Sequence, residues 1–478
     1  MHPILFRIPL PHGPIKLWWI LTGVIVLAAI FALLALRKRD TKGAAFPLLV
    51  AAGAGAAMFA FKGTEFSQPN LPIYSYGVML GLSLVIGWYL TLGLADKVGL
   101  PKEVMANCYV VTAIAAIVGA RLLYVATNLD EFSEAGVFSM KSVFALRRGG
   151  LVAYGGFLGG FMGSWLYLRA NGVKLLPWAD VVVPSLATGL LVTRVGCYLF
   201  GCDFGKRLSD TAPGFLKKLG TFPHWTDSMK EAGNGSPAYV RHWNQFPDMH
   251  AKMLETNASL PAHPTQIYES LVGLSLFALL MWRRKKQTFR GEIFLLFVFA
   301  YGFVRFLLEL LRDDVERGEF GPSMGKHLLI PGALLLFAFA FAISYAKEMT
   351  NIVLRNVVLG AAFLLPVVVY FQMKPASFGT QTVTQYSTSQ GIGLLTALFA
   401  AYFHKLLKER ALENPVLAMD LGLGGATLAE EGPKRKKKRK QEEVKAADND
   451  DEGYMRESES VEAAGTSADP EKEPSKDA

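Results

Sequence analysis

The chain has 478 residues, of which 51% are hydrophobic and only 19% charged, with a formal net charge of +9. Its mean hydropathy of +0.29 is too high for an ordinary soluble multidomain protein. Three cysteines, Cys108, Cys197 and Cys202, are too few for a disulfide framework, and no His/Cys cluster has metal-ligand spacing. We therefore expect an integral membrane protein with no metal and no other cofactor.

Apolar runs recur along most of the chain, and the first of them, Leu17 to Leu36, has the roughly 20 residues that span a hydrocarbon core. The basic segment after this run indicates a retained span rather than a cleaved signal peptide. We predict an all-α polytopic membrane protein with eleven transmembrane helices, at residues 17–36, 44–62, 72–95, 104–126, 150–168, 176–200, 266–282, 291–311, 328–345, 356–372 and 390–404.

These spans divide the chain into four predicted regions. Residues 1–71 form an extension with two spans, 72–346 a seven-span core, 347–410 two further spans and 411–478 a charged tail. Within the core, the long polar loop 201–265 predicts a small head outside the membrane. The tail is too polar to bury a core, so we expect it to be disordered in the cytoplasm.

The basic loops give the orientation. Under strict alternation of the spans, the loops "RKRDTK", "DKVGLPKE", "RANGVK", "RRKKQTFR", "AKEMTNIVLRN" and "HKLLKER" fall on one side, which the positive-inside rule makes cytoplasmic. The N-terminus is then outside and the C-terminus inside. The basic run Lys434 to Lys440 fits the same side, so the positive net charge predicts no nucleic-acid partner.

Polar residues that are unusual in a membrane gather at one predicted depth, near the outer ends of different spans. They are Arg121, Tyr154, Arg194, His263, Gln266, Arg305 and Glu309. A charged side chain inside the bilayer costs ~2.5 kcal/mol or more, so several at one depth predict a shared polar cavity. The basic pair Arg147–Arg148 also lies on the outer side, where cations and free backbone N–H groups suit an anion at the leaflet surface.

The stretch "YGFVRFLLELLRDD" places Tyr301, Arg305, Glu309 and Arg312 on one helix face. Arg305 and Glu309 alone could be a self-neutralising pair. Arg194, like Arg121, has no carboxylate at helical spacing in its own span and needs another anion. In an outer-leaflet cavity, we interpret that anion as a phospholipid phosphate held by guanidinium groups. The residues by themselves leave an enzyme, a lipid transporter or flippase, and a membrane scaffold open.

Small residues recur in "GGLVAYGGFLGGFMGSW". The rows Gly155, Gly159, Gly163 and Gly156, Gly160, Ser164 are typical of close helix packing.

Seven motifs occur in the same order as in a known family. In "YSYGVML", "GARLLYV", "GGLVAYGGFLGG", "TRVGCYLFGCDFGK", "HPTQIYES", "YGFVRFLLELLRDD" and "SMGKHLLIP", spanning about 72–346, the chain resembles bacterial prolipoprotein diacylglyceryl transferases. The resemblance implies transfer of the diacylglyceryl group from phosphatidylglycerol to the lipobox cysteine of a prolipoprotein. It also implies an inner-membrane enzyme whose site faces the periplasm, the side that the loop charges predict for these motifs.

The resemblance also implies roles for individual residues. Arg194 and Arg305 would be catalytic by holding the phosphate, and Arg121 would help to bind phosphatidylglycerol. The remaining substrate-binding positions would be Tyr76, Tyr301, Glu309, Gly155, Gly156, Gly201 and Gly205.

The chain departs from the family at Tyr154, where the best-known members carry histidine. A phenol with a pKa near ~10 is a poor base at neutral pH, so we interpret Tyr154 as an orienting or relay group. Thiol activation is then left to the arginine field, with His263 as a candidate base. The alternative for His263 is a capping role before Pro264. Cys197 and Cys202 are interpreted as packing residues.

Overall fold

The computed structural model describes residues 3–9, 15–37, 47–48, 50–55, 58, 65–66, 70–134, 137–138, 143, 150–224, 235–313, 318–376 and 382–421. Helices dominate this part of the chain. They are α1 Leu17–Arg37, α2 Ser75–Val98, α3 Lys102–Thr127, α4 Ala153–Ala170, α5 Leu175–Phe200, α6 Gly214–Leu219, α7 Pro237–Gln245, α8 His250–Thr256, α9 Thr265–Arg284, α10 Glu292–Glu309, α11 Lys326–Ile343, α12 Ile352–Met373, α13 Thr388–Glu413 and α14 Pro415–Ala418.

Local sequence sets several helix ends. α2 ends at Gly99, whose φ of +86° lies in the left-handed region that glycine adopts without strain. Asn351 caps the start of α12 by accepting from the backbone N–H of Leu354. α13 begins with a capping box, in which Ser387 and Gln390 each accept a hydrogen bond from the other's backbone N–H.

The long helices pack as neighbours rather than in strict chain order. α5 contacts α2 and α9, α10 contacts α9 and α13, and α11 contacts α12 and α13. A hydrophobic core between α10, α11 and α13 contains Phe299, Phe306, Phe337, Ala397 and Ala400. α13 is therefore an integral part of the bundle around α10.

Four short antiparallel strand pairs lie in the described residues, and all but one, a local hairpin, connect segments far apart in the chain. β1 (Ile4–Pro9) pairs with β4 (Asn70–Tyr74), β2 (Ile15–Lys16) with β3 (Glu65–Phe66), β5 (Ser133–Glu134) with β6 (Val137–Phe138), and β7 (Glu319–Gly325) with β8 (Val383–Ser387). The span predicted to begin at residue 72 begins instead at Ser75, because the residues before it are paired with β1.

The loop between α5 and α9 folds around α6, α7 and α8 in its described part, and its place as a head outside the membrane stays a prediction. Its core contains Phe204, Phe222, Ala238 and Ala262. His242 packs edge-on against Phe204. Burial, aided by the charges of Arg207 and Arg241, lowers the pKa of His242 to about 4, so it is neutral at physiological pH.

Ten of the predicted spans coincide with helices. Most of the eleventh, 44–62, lies outside the described residues, and residues 47–48, 50–55 and 58 within it are helical. Six described helices, α2, α3, α5, α9, α11 and α12, are long and apolar enough to cross a membrane by length and composition. The prediction of a mostly helical, multi-pass membrane protein is confirmed, while the count of eleven spans stays a prediction.

The last long helix extends beyond its predicted end at residue 404. α13 reaches Glu413, and α14 follows it within the segment predicted as tail. The basic run and the acidic end of that tail lie outside the described residues.

The contacts divide the chain into two units. One unit comprises residues 1–168 and 175–420 and contains every site described below. The other comprises 169–174 and the chain from 421 on. Its described part is the end of α4 and a turn at Gly172, which has a φ of +66°.

Candidate active site

Six charged side chains meet where α5 and α10 end and α9 begins. Arg194 lies near the C-terminal end of α5 and Asp203 in the loop after it. Glu269 lies in the second turn of α9. This arginine network consists of Arg194, Arg305, Arg312, Asp203, Glu269 and Glu309.

Glu269 is the centre of the arginine network. Its Oε2 lies 2.6 Å from Arg194 Nε, and its Oε1 lies 3.0 Å from Arg312 Nη1 and 3.2 Å from Arg305 Nη1. One carboxylate thus joins guanidinium groups from α5, α10 and the segment after α10. Such charge-assisted bonds fix the planes of the guanidinium groups as well as their positions.

Asp203 forms a second bridge between two of these cations. Its Oδ2 lies 2.8 Å from Arg194 Nη1 and its Oδ1 lies 2.5 Å from Arg312 Nη2. Burial raises the pKa of Asp203, but the adjacent Arg194 and Arg312 outweigh this effect and lower it overall. Asp203 is therefore ionised at neutral pH.

The loop that carries Asp203 depends on two glycines at predicted positions. Gly201 has a φ of +79°, and a Cβ there would lie 3.0 Å from Ser236 Cβ. At Gly205 a Cβ would lie 2.5 Å from the Leu311 carbonyl oxygen. Gly201 thus lets the loop pack against Ser236, and Gly205 lets it lie close to the end of α10, while substrate binding by both glycines stays a prediction.

Glu309 completes the arginine network at the end of α10. Its Oε2 lies 3.1 Å from Arg305 Nη2, and its Oε1 accepts a hydrogen bond of 2.9 Å from Ser387 Oγ. The predicted pairing of Arg305 with Glu309 is therefore present. It belongs to a larger set, because Arg305 also contacts Glu269.

Exposure separates the arginine network into an open and a buried part. The side chains of Arg194 and Arg305 are each 18% exposed and that of Asp203 is 33% exposed. Those of Arg312, Glu269 and Glu309 are 5% exposed or less. Among the described residues, Arg194 Nη2 and Arg305 Nε have no hydrogen-bond partner. These donors can therefore bind an incoming anion while the buried carboxylates hold the arginines.

The charges of the arginine network balance. Three arginines face three carboxylates, so Arg194 already has the anion that its own span lacks. The self-neutralising alternative is thus realised across several helices, and a bound phosphate would add one anion to a neutral set.

Three tyrosines from different helices adjoin the arginine network. Tyr154 on α4 donates a hydrogen bond of 3.1 Å to Ser389 Oγ, and Arg305 Nη2 lies 3.5 Å from the same oxygen. Tyr301 is close enough to Arg305 to interact with it electrostatically, and Tyr76 to Arg194 in the same way. The structure therefore brings Tyr154, Tyr301 and Tyr76 together with the two predicted catalytic arginines.

His263 lies beside the loop that carries Asp203. Its ring Nδ1 is 3.4 Å from Tyr268 Oη, and its backbone exchanges hydrogen bonds with Lys206 and Gly205. Burial, with a smaller contribution from Lys206, lowers the pKa of His263, so it is neutral at physiological pH. The helix α9 begins without a side-chain cap, so these contacts do not show the capping alternative, and the catalytic role of His263 stays a prediction.

Arg121 binds backbone rather than the arginine network in its described contacts. Its Nε donates to the Val143 carbonyl at 2.7 Å and its Nη1 to the Gly150 carbonyl at 2.9 Å. Arg121 therefore supports the chain that enters α4, and its predicted binding of phosphatidylglycerol remains untested. The basic pair Arg147–Arg148 lies outside the described residues.

The glycine row of α4 packs against α3. A Cβ at Gly155 would lie 2.4 Å from the Gly119 carbonyl oxygen, and one at Gly159 2.3 Å from that of Ala115. Gly156 is less tightly enclosed, with Ala116 O at 3.5 Å. The packing interpretation of this row is confirmed, while substrate binding by Gly155 and Gly156 stays a prediction.

In the described part of the chain, two groups of side chains each bring three metal-ligand atoms within 4.8 Å of one another. They are Cys197, Cys202, Asp203 and Glu292, Glu348, His404. Arg194 and Arg312 already occupy Asp203, and Arg283 and Lys408 occupy Glu348. A divalent cation would have to displace positive side chains from both groups, so neither fits a metal site.

A second ion network lies at the opposite ends of α9, α10 and α13. Arg283 pairs with Glu292 at 2.5 Å and with Glu348, and Lys408 lies 3.4 Å from Glu348. Beside it, an apolar cavity of about 810 Å³ runs between α9, α10, α11 and α12. Phe299 and Phe303 line this cavity from the face of α10 opposite Arg305, so the cavity is separate from the arginine network.

Comparisons with known proteins agree with these features. The model of the prolipoprotein diacylglyceryl transferase family matches residues 64–343. The chain belongs to this family. It is similar to the phosphatidylglycerol–prolipoprotein diacylglyceryl transferase 2 of Clostridium perfringens, with 29% identity over 271 residues, 56% of this chain and 91% of the relative. It is also similar to the enzyme of the same general name from Clostridium tetani, with 28% identity over 59% of this chain and 98% of the relative. A further such relative, from Geobacillus kaustophilus, is 30% identical over 51% of this chain and 78% of the relative.

Membership of the prolipoprotein diacylglyceryl transferase family confirms the resemblance inferred from the motifs. The names of the family and of the relatives indicate a transferase of lipoprotein biosynthesis. None of these names indicates a lipid carrier.

The structure adds site residues that the sequence analysis did not select. Glu269 and Asp203 lie inside quoted motifs, and the desolvation argument applied to Arg305 holds equally for an acid within a span. Arg312 lies on the helix face that the spacing predicts, but spacing alone indicates no role for it. Ser387 and Ser389 lie beyond the segment that matches the family, so no motif pointed to them.

Proposed function

We propose that this chain transfers the diacylglyceryl group of phosphatidylglycerol to the lipobox cysteine thiol of prolipoproteins. The observation that carries the proposal is the convergence of Arg194 and Arg305, held by Glu269 and partly open to the surroundings. Among the described residues, each arginine keeps one free nitrogen, and these two groups can each donate a charge-assisted hydrogen bond to an oxygen of a phosphodiester. The names of the relatives supply the two substrates.

The reaction is a substitution at the glycerol carbon that bears the phosphate ester. The substrate sulfur forms a bond to this carbon while the bond from carbon to the phosphate oxygen breaks. The thiol proton passes to water, and glycerol phosphate departs as a dianion with the electron pair of the broken bond. Negative charge therefore grows on the phosphate, where Arg194 and Arg305 donate hydrogen bonds that strengthen as it does.

The thiol must lose its proton to become the nucleophile. The fields of Arg194 and Arg305 favour a thiolate beside them, while Tyr154, held by Ser389, orients the group or relays its proton. His263 serves less well as the base, since its ring contacts Tyr268 and makes no contact with Arg194 or Arg305 among the described residues.

We further propose that the arginine network faces the periplasm across the inner membrane, in a protein of eleven spans. The clustering of charged groups at two opposite ends of α9, α10 and α13 supports this orientation. The ends that carry Arg283 and Lys408 belong to the basic loops, which favour the cytoplasmic side. The N-terminus would then be periplasmic and the C-terminus cytoplasmic.

The test uses the purified full-length chain in phosphatidylglycerol vesicles with a synthetic lipobox peptide. Mass spectrometry should show the peptide with a thioether-linked diacylglyceryl group, and the same vesicles should release glycerol phosphate. Arg194→Ala and Arg305→Ala should abolish both products. Arg410→Ala, which removes an exposed guanidinium at the far end of α13, is the matched control and should keep activity. Unchanged turnover in both site variants would refute the assignment.

A further inference from the structure

The helix α13 lies after the segment that matches the family, yet it packs directly on α10. A Cβ at Gly302 of α10 would lie 2.6 Å from the Gly393 carbonyl oxygen, and one at Gly393 3.0 Å from that of Gly302. The two backbones are thus in contact with no side chain between them. This close approach brings the first turn of α13 beside Arg305 and Glu309.

Two serines at the start of α13 contact the arginine network. Ser387 donates a hydrogen bond of 2.9 Å to Glu309. Ser389 Oγ accepts one of 3.1 Å from Tyr154 and lies 3.5 Å from Arg305 Nη2. Ser389 is therefore the one described hydroxyl that joins the phenol of Tyr154 to a predicted phosphate-binding arginine.

The position of these serines is fixed from both ends of α13. Before the helix, β8 pairs with β7, and Thr388 N and Oγ1 both donate to the Gly318 carbonyl. At the other end, Lys408 contacts Glu348 and donates a hydrogen bond of 2.9 Å to Thr288 Oγ1. A side chain held on a helix fixed at both ends can set the geometry of its partners closely.

The two serines differ in what else they do. Ser387 also caps α13 by accepting from the backbone N–H of Gln390, so its loss would weaken the helix itself. Ser389 has no capping contact among the described residues. Substitution of Ser389 therefore tests its role in the site without also destabilising the start of α13.

We propose that α13 completes the active site and that Ser389 is a positioning residue for the transfer reaction, setting the relative placement of Tyr154 and Arg305. This inference rests on the proposed function and adds to it a residue from outside the family-matched segment. In place of two independent groups, phenol and guanidinium then act with a fixed separation on one substrate.

The experiment compares three variants of the full-length chain in the vesicle assay. Ser389→Ala should lower kcat about tenfold with little change in KM for the peptide, since one or two hydrogen bonds that orient reacting groups are lost. Ser389→Thr, which keeps the hydroxyl, should restore most of the activity. Thr396→Ala is the matched control on the same helix, because its hydroxyl bonds only to backbone carbonyls of α13, and it should keep wild-type kcat.

A double variant tests whether Ser389 acts through Tyr154. Tyr154→Phe combined with Ser389→Ala should lose less than the product of the two separate losses. A Ser389→Ala enzyme within twofold of wild type, or an equal loss in Thr396→Ala, would overturn the inference. If Ser389→Ala does not accumulate, Ser389→Cys decides: reduced kcat supports the inference, because sulfur is a weak acceptor, and full activity overturns it.

The two proposals fail in different ways. If the unaltered chain forms no thioether product, the proposed function is wrong. If the unaltered chain is active and Ser389→Ala is equally active, only the positioning role is wrong.

Discussion

Replacing Glu269 by glutamine tests the centre of the arginine network most directly. Glu269→Gln keeps the size of the side chain but removes the charge that contacts Arg194, Arg305 and Arg312 at 2.6 to 3.2 Å. The three arginines then have only Asp203 and Glu309 as carboxylate partners in a largely buried site. Loss of one partner from a buried ion network costs about 3 kcal/mol or more, because the remaining charges lack compensation.

We expect this change to affect turnover more than substrate binding. Arg194 and Arg305 would keep their positive charge, so phosphatidylglycerol would still bind, but their planes would no longer be fixed. If the lost orientation costs about 3 kcal/mol of transition-state stabilisation, kcat falls about 10²-fold. The measurement is kcat and KM for the lipobox peptide in phosphatidylglycerol vesicles, together with thermal unfolding followed by tryptophan fluorescence.

The matched control is Glu292→Gln in the second ion network. Glu292 is also a fully buried carboxylate, and it contacts Arg283 at 2.5 Å at the opposite end of α10. This variant should lose stability to a similar extent while kcat of the folded fraction stays near wild type. Equal kcat values for the two variants, or wild-type turnover in Glu269→Gln, would refute the reasoning that Glu269 orients the arginines.

Three other predictions address the tyrosine, the head and the Asp203 loop. Tyr154→Phe should lower kcat about tenfold through the lost bond to Ser389, and near-normal kcat would leave thiol activation to the arginine field. His242 has a depressed pKa of about 4, so its contribution to stability is complete above its unfolded pKa of ~6.5 and is lost as the pH falls towards 4. The free energy of unfolding of the wild type should therefore fall by about 3 kcal/mol over this window, and that of His242→Phe should fall less. Unfolding midpoints measured across this pH range check the difference. Gly205→Ala should inactivate the enzyme, because its Cβ would meet Leu311 O at 2.5 Å, whereas Gly214→Ala, with nothing within 4 Å, should be active; equal activity of the two would contradict the packing argument.

The fold followed from the sequence where one physical requirement dominated. Spans such as 104–126 and 176–200 correspond to α3 (Lys102–Thr127) and α5 (Leu175–Phe200), because a long apolar run has few alternatives to a membrane helix. The strand Asn70–Tyr74 was missed, since its partner β1 lies more than sixty residues earlier and short paired segments carry no local period.

The site was predictable in type but not in partnership. Arg194 and Arg305 stood out because a charge in a membrane span needs a reason, yet nothing local showed that Glu269 would bind both. Arg121 stood out for the same reason, but its hydrogen bonds to carbonyls of the chain before α4 could not be read from sequence, and its binding of phosphatidylglycerol stays a prediction. Ser389 could not be found from sequence, since its contact with Tyr154 joins residues 235 positions apart.

The balance of charge in the arginine network bears on how the enzyme would distinguish the substrate from the transition state. Three free cations would hold the phosphodiester tightly from the start, which lowers KM without raising kcat. In the structure, Asp203, Glu269 and Glu309 offset the arginines, so the attraction for a singly charged lipid phosphate is moderate. The exposed donors of Arg194 and Arg305 gain most when a second negative charge develops on the leaving phosphate. The carboxylates therefore make the arginine network selective for the transition state, and their removal should tighten lipid binding while slowing transfer.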